Sequence, residues 1–150
     1  MKAKIIISGV TGFIGSNLKE YLEDEQYTVQ GVSRKKNKLL ITYQDLDYDF
    51  LNSSDIYIHL AGKAHDLKKT SEDKEYYEVN TELTKQLFNQ FLNSTCEVFI
   101  YMSSVKAVAD SVVGILNEDC LPNPQTHYGK SKLLAESYIL SQKIPSNKRV

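Results

Sequence analysis

A β-branched apolar run, Lys4-Ile5-Ile6-Ile7, passes without a break into Ser8-Gly9-Val10-Thr11-Gly12-Phe13-Ile14-Gly15 and then into Ser16-Asn17-Leu18-Lys19-Glu20-Tyr21-Leu22. Few folds accommodate that succession. The apolar run suits a strand buried on both faces, and the last seven residues read as a helix. Between them the glycines at 9, 12 and 15 spell G-x-x-G-x-x-G. The first permits a tight turn, the second lets backbone approach a pyrophosphate, and the third lets helix and strand pack closely. The helix N-terminus then presents its amides and positive dipole end to the phosphates. Gly9, Gly12, Phe13, Ile14 and Gly15 are therefore expected to hold a dinucleotide.

Strand-like runs alternate with helical patterns along the rest of the chain. Tyr27–Val32, Leu39–Thr42, Ile56–Leu60 and Val98–Met102 read as further strands. Glu72–Leu92 is the longest helix expected, with Tyr76, Val79, Leu83, Leu87 and Phe91 at helical spacing, and Thr126–Gln142 is the last, with Tyr128, Leu133, Leu134, Tyr138 and Ile139 among its apolar positions. The stretch Asp45–Ser54 is too short for a full crossover helix. Alternating elements imply β-α-β units and a doubly wound parallel sheet. Right-handed crossovers from a glycine-rich first turn favour the strand order 3-2-1-4-5.

Composition narrows the function classes. The 150 residues carry a net charge of −1 with 25% charged and 41% hydrophobic residues, which offers no basic footprint for nucleic acid. No apolar run approaches the length needed to span a bilayer. The N-terminus enters a strand with no apolar leader, so a secretory signal is not expected. Cys96 and Cys120 are isolated and read as free thiols of a reducing, cytoplasmic compartment, with no metal site.

Near the other end, Tyr128-Gly129-Lys130-Ser131-Lys132 places a phenol and an ammonium four residues apart. On a helix these share a face, and the lysine would favour the phenolate. His59, inside an apolar strand, reads as a packed and hydrogen-bonded residue. Lys63 and His65 follow that strand at its carboxyl end, where open α/β sheets bind ligands, and His127 reads as a bystander on another face of the last helix. Lys106 could meet a substrate phosphate or carboxylate.

Taken together, the glycines at 9, 12 and 15, His59-Leu60-Ala61-Gly62, Asn80 in Tyr77-Glu78-Val79-Asn80, Met102-Ser103-Ser104-Val105-Lys106, the prolines at 122 and 124, and Tyr128-x-x-x-Lys132 with Glu136 occur in one order. In that order they resemble the extended short-chain dehydrogenase/reductase family, of the nucleotide-sugar epimerase, dehydratase and 4-keto reductase type (UDP-glucose 4-epimerase-like). The resemblance covers essentially the whole chain and implies one NAD(P)-binding Rossmann domain over residues 1–150. It implies that Tyr128 is the general acid/base at a sugar carbon that exchanges hydride with nicotinamide. Lys132 would hold the nicotinamide ribose and lower the tyrosine pKa, and Ser104 would hydrogen-bond the reacting oxygen, a strand-end cap being the alternative role for it. Leu60, Ala61 and Gly62 would lie beside the cofactor, Asn80 would buttress the site, and Asp45-Leu46 would stand near the adenine. Ser104-Val105-Lys106 lacks the acidic pair of dehydratases, which favours a 4-epimerase or 4-keto-sugar reductase.

Cofactor choice turns on the end of the second strand. Ser33-Arg34-Lys35-Lys36 has no acid to bind the ribose hydroxyls, so NADP is expected over NAD. The resemblance also implies a nucleotide-diphosphate sugar as substrate, and a homodimer through the Glu72–Leu92 and Thr126–Gln142 helices. Val150 comes 18 residues after Lys132, where the family would start a sixth strand and then its sugar-binding elements. The 150 residues are therefore expected to lack a substrate cleft, to leave the fifth strand's edge open and to be inactive alone. A non-catalytic NAD(P)-binding sensor or scaffold and a reductase of small carbonyl compounds are the alternatives.

Overall fold

The computed structural model describes residues 2–34, 40–63, 73–112 and 114–150. Five parallel strands form one sheet in the order β3-β2-β1-β4-β5. They are β1 (Lys4–Ser8), β2 (Thr28–Ser33), β3 (Leu40–Thr42), β4 (Ile56–His59) and β5 (Val98–Tyr101). The helices are α1 (Phe13–Asp24), α2 (Tyr48–Leu51), α3 (Asp73–Tyr76), α4 (Leu83–Asn93) and α5 (His127–Ser141). This is the Rossmann-type sheet, in the order the sequence predicts. The abbreviated crossover is the single turn α2, capped by the Asp47 carboxylate, which accepts from Phe50 N at 2.8 Å.

The chain forms two compact units. The first, Met1–Ala61, Gln86–Met102 and Lys143–Val150, contains the sheet; the second is Gly62–Lys85 and Ser103–Gln142. In the sheet unit β1 is central, with Ile7 opposite Gly31 on one side and Ile58 on the other. Its isoleucines are buried because both faces are covered. Ile5 and Ile7 join Val10 and Ile58 in a cluster against Leu18 and Leu22 of α1. Strand alternation sends Tyr57 and Phe99 to the opposite face. There Phe99 meets Phe88 and Phe91 at 5.0 and 5.2 Å between ring centroids, and each of these phenylalanines contributes roughly 2–3 kcal/mol by its burial.

Two turns hold β1 and α1 in place. Gly9 has φ +77°, and a Cβ there would lie 2.6 Å from Ala61 N; a Cβ on Gly15 would lie 2.3 Å from Gly9 O. At the other end Gln26 adopts φ 66°, and Tyr27 N donates to Leu22 O while Gln26 N donates to Glu23 O. That is a Schellman stop built without the usual glycine.

Three expectations change. The 72–92 helix is interrupted by a π-helical segment, Tyr77–Glu82, and Glu72 lies outside the described residues, as does Leu39. The extra residue per turn shifts the buried stripe to Tyr76, Asn80, Thr81, Thr84, Leu87, Phe88 and Phe91, leaving Val79 and Leu83 half-buried. In α5 the buried residues are Gly129, Ser131, Lys132, Ala135 and Ile139, while Leu134 and Leu140 are exposed. The outer edge of β5 is not bare: Arg149 N donates to Glu97 O, Phe99 N donates to Arg149 O, and Arg149 pairs in parallel with Val98. Lys148 anchors this segment, its Nζ donating to the carbonyls of Ser94 and Cys96 at 2.8 and 2.5 Å, over the Phe91 ring.

Substitution at the two positive-φ turns should act in opposite directions. Gly9→Ala should lose about 3 kcal/mol, from the left-handed backbone and the clash with Ala61, whereas Gln26→Gly should gain about 1 kcal/mol. Urea unfolding checks both, as opposite midpoint shifts with an unchanged slope.

Candidate functional site

In the sheet unit the glycine turn follows β1 and leads into α1, whose N-cap is Gly12. Among the described residues no side chain caps that end, and its first turn holds no acidic residue. Among the described residues no carboxylate therefore competes for the first-turn amides, and the absence of a Cβ at Gly9 and Gly15 lets the turn's backbone pack closely beside them. This arrangement fits a dinucleotide pyrophosphate. Phe13 and Ile14 are exposed in the first turn, and Leu60 N donates to Ser8 O beside the turn. His59 is packed as predicted: fully buried, with Nδ1 2.6 Å from Ser8 Oγ and its ring stacked on Tyr101.

At the end of β2, Ser33 is buried and Arg34 exposed; Lys35 and Lys36 lie outside the described residues. The Asp45 carboxylate accepts from Thr42 Oγ1 at 2.9 Å, and Leu46 is a core residue. Tyr43 is a neighbour that the sequence pattern did not disclose. Burial pushes its phenol up, although a hydrogen bond with the Gly9 backbone and the charge of Arg34 act the other way.

The second unit carries the phenol and the ammonium. Thr126 caps α5, its Oγ1 accepting from Gly129 N at 3.1 Å, so Tyr128 stands in the first turn and Lys132 one turn on. The Tyr128 ring meets the buried Tyr76 ring edge-on at 6.2 Å. Lys132 is buried, and its Nζ lies over Gly62, where a Cβ would come within 3.3 Å of it. That burial lowers its pKa to about 8 against the partial opposition of Glu136. Ser104 caps a 3₁₀ turn, Val105–Ala107, accepting from Lys106 N at 3.2 Å. The Oγ of neighbouring Ser103 is buried with no hydrogen-bond partner among the described residues.

Asn80, on the π-helical segment, is fully buried. Its Oδ1 accepts from Lys63 N at 2.7 Å, and its Nδ2 donates to Lys63 O and to Ser131 Oγ at 3.2 and 3.0 Å. Thr81 Oγ1 donates to Ser131 O at 2.8 Å, and Ser131 Oγ donates to Tyr128 O at 2.8 Å. Asn80 thus ties the Gly62–Lys63 backbone to the residue preceding Lys132. Thr81 and Ser131 carry no apolar periodicity that would mark them in the sequence as buried partners. His127 is more than a bystander: Nδ1 is 3.0 Å from Tyr77 OH, and Nε2 is 3.2 Å from Asp73 Oδ2. Lys106 is turned onto Asp110, and Lys63 pairs with Glu75 at 2.7 Å. His65 lies outside the described residues. Both cysteines are free, and among the described residues no cluster of His, Cys, Asp or Glu could hold a metal. None of the described helices is long and apolar enough to cross a membrane.

Residues 5–143 match the NAD dependent epimerase/dehydratase family, and the chain belongs to that family. It is 31% identical, over 94% of its length, to a UDP-glucose 4-epimerase of Vibrio cholerae, and 27% identical over its whole length to a GDP-6-deoxy-D-mannose reductase of Pseudomonas aeruginosa. It spans about half the length of these curated relatives, 47% and 50%. Among solved structures it resembles MoeE5 in complex with UDP-glucose and NAD, with TM-score 0.83 and 26% identity over 97% of this chain and 50% of that one. A UDP-N-acetylglucosamine 4-epimerase from Bacillus cereus is also similar, with TM-score 0.77 and 26% identity over 93% and 50% of the respective chains.

The Lys132 shift carries a pH signature. Between about pH 8 and the unfolded lysine's 10.5 the unfolded chain holds a proton that the folded chain has released, so stability rises with pH. Relative to Lys132→Met, the 150-residue chain should gain roughly 1–2 kcal/mol between pH 8 and pH 9.5. Urea unfolding of both proteins at the two pH values measures the difference.

Proposed function

We propose that this chain is the cofactor-binding part of an NAD(P)-dependent nucleotide-sugar 4-epimerase or 4-keto-sugar reductase. One observation carries the reading: Lys132 is buried and partly stripped of its charge preference, one helical turn beyond Tyr128, on a helix whose inner face is made of Gly129, Ser131 and Ala135 rather than leucine. A helix that served only to pack would bury its leucines there instead.

In the proposed reaction the nicotinamide, when bound, exchanges hydride at the sugar carbon. The chain's residues do the rest. The amides of the glycine turn hold the pyrophosphate through Gly9, Gly12 and Gly15, with Phe13 and Ile14 beside it. Leu60, Ala61 and Gly62 flank the ring. Tyr128 moves the proton at the reacting oxygen, which must lie within hydrogen-bond reach of it. Ser104 Oγ donates to that oxygen, and Lys132 holds the ribose. Asn80 keeps the Gly62 backbone and the Lys132 turn in register. Arg34 and Ser33 support NADP as the preferred cofactor, and Asp45 and Leu46 stand toward the adenine. A homodimer through α4 and α5 belongs to the same proposal; the exposed Leu134 and Leu140 are consistent with it. The second reading is a non-catalytic cofactor-binding sensor or scaffold.

Calorimetric titration with NAD, NADH, NADP and NADPH, followed by assays on UDP-hexoses and UDP-4-keto sugars, tests both readings. The proposal expects binding of at least one cofactor pair, tighter for the phosphorylated one. In a chain extended by native downstream sequence it expects turnover that falls 10²–10⁴-fold in Tyr128→Phe with cofactor binding retained. Turnover that survives Tyr128→Phe would remove the proton carrier. Binding without turnover in the extended chain would favour the sensor.

A further inference from the structure

The Asp110 carboxylate accepts three hydrogen bonds from the approach to α5, and the proposed reaction does not use it. Its Oδ2 accepts from Gln125 N at 2.6 Å and Thr126 N at 3.0 Å, and its Oδ1 accepts from Thr126 Oγ1 at 2.6 Å. The Thr126 hydroxyl therefore gives its one proton to Asp110 and turns its lone pair to Gly129 N. The cap of α5 is oriented by a carboxylate 16 residues earlier in the chain. Asp110 is equally tied to the loop that leaves Ser104. Lys106 Nζ donates to Asp110 O at 3.1 Å and lies 4.0 Å from its Oδ1, while Lys106 N donates to Ser104 Oγ. Asn123 N donates to Val108 O at 2.8 Å. Gly129 passes so close to this loop that a Cβ would lie 2.3 Å from Lys106 O.

We propose that Asp110 is a positioning residue: its carboxylate clasps the first turn of α5 to the Ser104–Asp110 loop and so sets where Tyr128 stands with respect to Ser104. The consequence for catalysis rests on the function proposed above; the clasp itself does not. Loss of the cap frays the first turn of a helix and leaves the second intact. Tyr128 is in that first turn and Lys132 in the next, so loosening Asp110 would separate the phenol from both of its partners without unfolding the unit. With three hydrogen bonds accepted and an ammonium beside it, the carboxylate is already satisfied, which argues against a ligand-binding role.

The clasp is ionic on one side, and pH tests it. Partial burial pushes the Asp110 carboxyl up, but the Thr126 hydroxyl, the Gln125 and Thr126 amides and the Lys106 ammonium outweigh this and hold it below the usual carboxylate range. Lys106 is the charged group facing it; His127, next to Thr126, is engaged by Asp73 and Tyr77. The clasp is therefore complete at neutral pH and is released only as pH falls through that lowered value.

Amide hydrogen exchange and amide chemical shifts, recorded by nuclear magnetic resonance on the 150-residue chain and its Asp110→Asn and Asp110→Ala variants, decide the matter. Exchange at Gly129 and Lys130 should rise at least tenfold in Asp110→Ala and less in the isosteric Asp110→Asn, with the strands of the sheet unit unchanged. The Thr126 and Gly129 amides of the unsubstituted chain should follow one acid transition that is absent in Asp110→Asn. In an active, extended chain kcat should fall tenfold or more, with KM and cofactor affinity within twofold. Unchanged first-turn exchange, no acid transition, or a loss of protection spread over both units would each overturn the clasp. A loosened first turn with undiminished kcat would overturn the positioning role. If no nucleotide sugar is turned over by the unsubstituted extended chain, the proposed function fails, and exchange and acid titration still decide the clasp.

Discussion

The sheet unit depends on a backbone approach too close for any side chain. At Gly9 the chain leaves β1 so close to Ala61 that a Cβ would lie 2.6 Å from the Ala61 amide nitrogen, and Gly15 lies against the Gly9 carbonyl. β1 and β4 pair side by side up to Ser8 and His59, and the two loops beyond them share the space that a side chain would otherwise fill. The start of α1 is set by the same contact. Its N-cap is a glycine, and among the described residues no side chain caps the amides of its first turn. The tight packing and the uncapped helix start are therefore one property of this turn.

The second unit solves a different problem, the burial of polar groups. Asn80, Thr81, Ser131 and Lys132 are all nearly inaccessible, and burying unpaired amides or hydroxyls would cost more than most apolar contacts return. Asn80, Thr81 and Ser131 survive there because they satisfy one another and the Lys63 backbone. The π-helical segment is the device that makes this possible, since its wider turn brings consecutive residues Asn80 and Thr81 onto the same partner, Ser131. Lys132, next along the chain, inherits a position fixed by neutral hydrogen bonds. Its ammonium is left with burial as the dominant influence on its proton.

Much of this was legible from residue order. Period and run length located all five strands, and glycine spacing and alternation gave their order, because a parallel sheet with right-handed crossovers has few alternatives. His59 was recognisable as packed because a polar residue inside an apolar strand must find a partner, and it found Ser8. The stripes on the long helices were misplaced for one reason. Apolar periodicity marks Val79, Leu83 and Leu134 as inward-facing, yet the inward faces at these turns are polar or small. The role of His127 was hidden similarly, since Asp73 and Tyr77 are distant in sequence.

The sequence by itself determined the local grammar of this protein: a β-branched strand, a turn that only glycine can make, a helix with a free N-terminus, and a phenol and an ammonium one helical turn apart. Those follow from steric and periodic rules acting over a few residues. Only the tertiary structure decided which polar side chains are buried and what each one holds. Asp110 reaches Thr126, Asn80 reaches both Lys63 and Ser131, and Lys148 reaches the carbonyls that seat a further segment beside β5. A hydrogen bond has direction and a short range but no periodicity, so partners 16 to 54 residues apart become visible only once the backbone has brought them together.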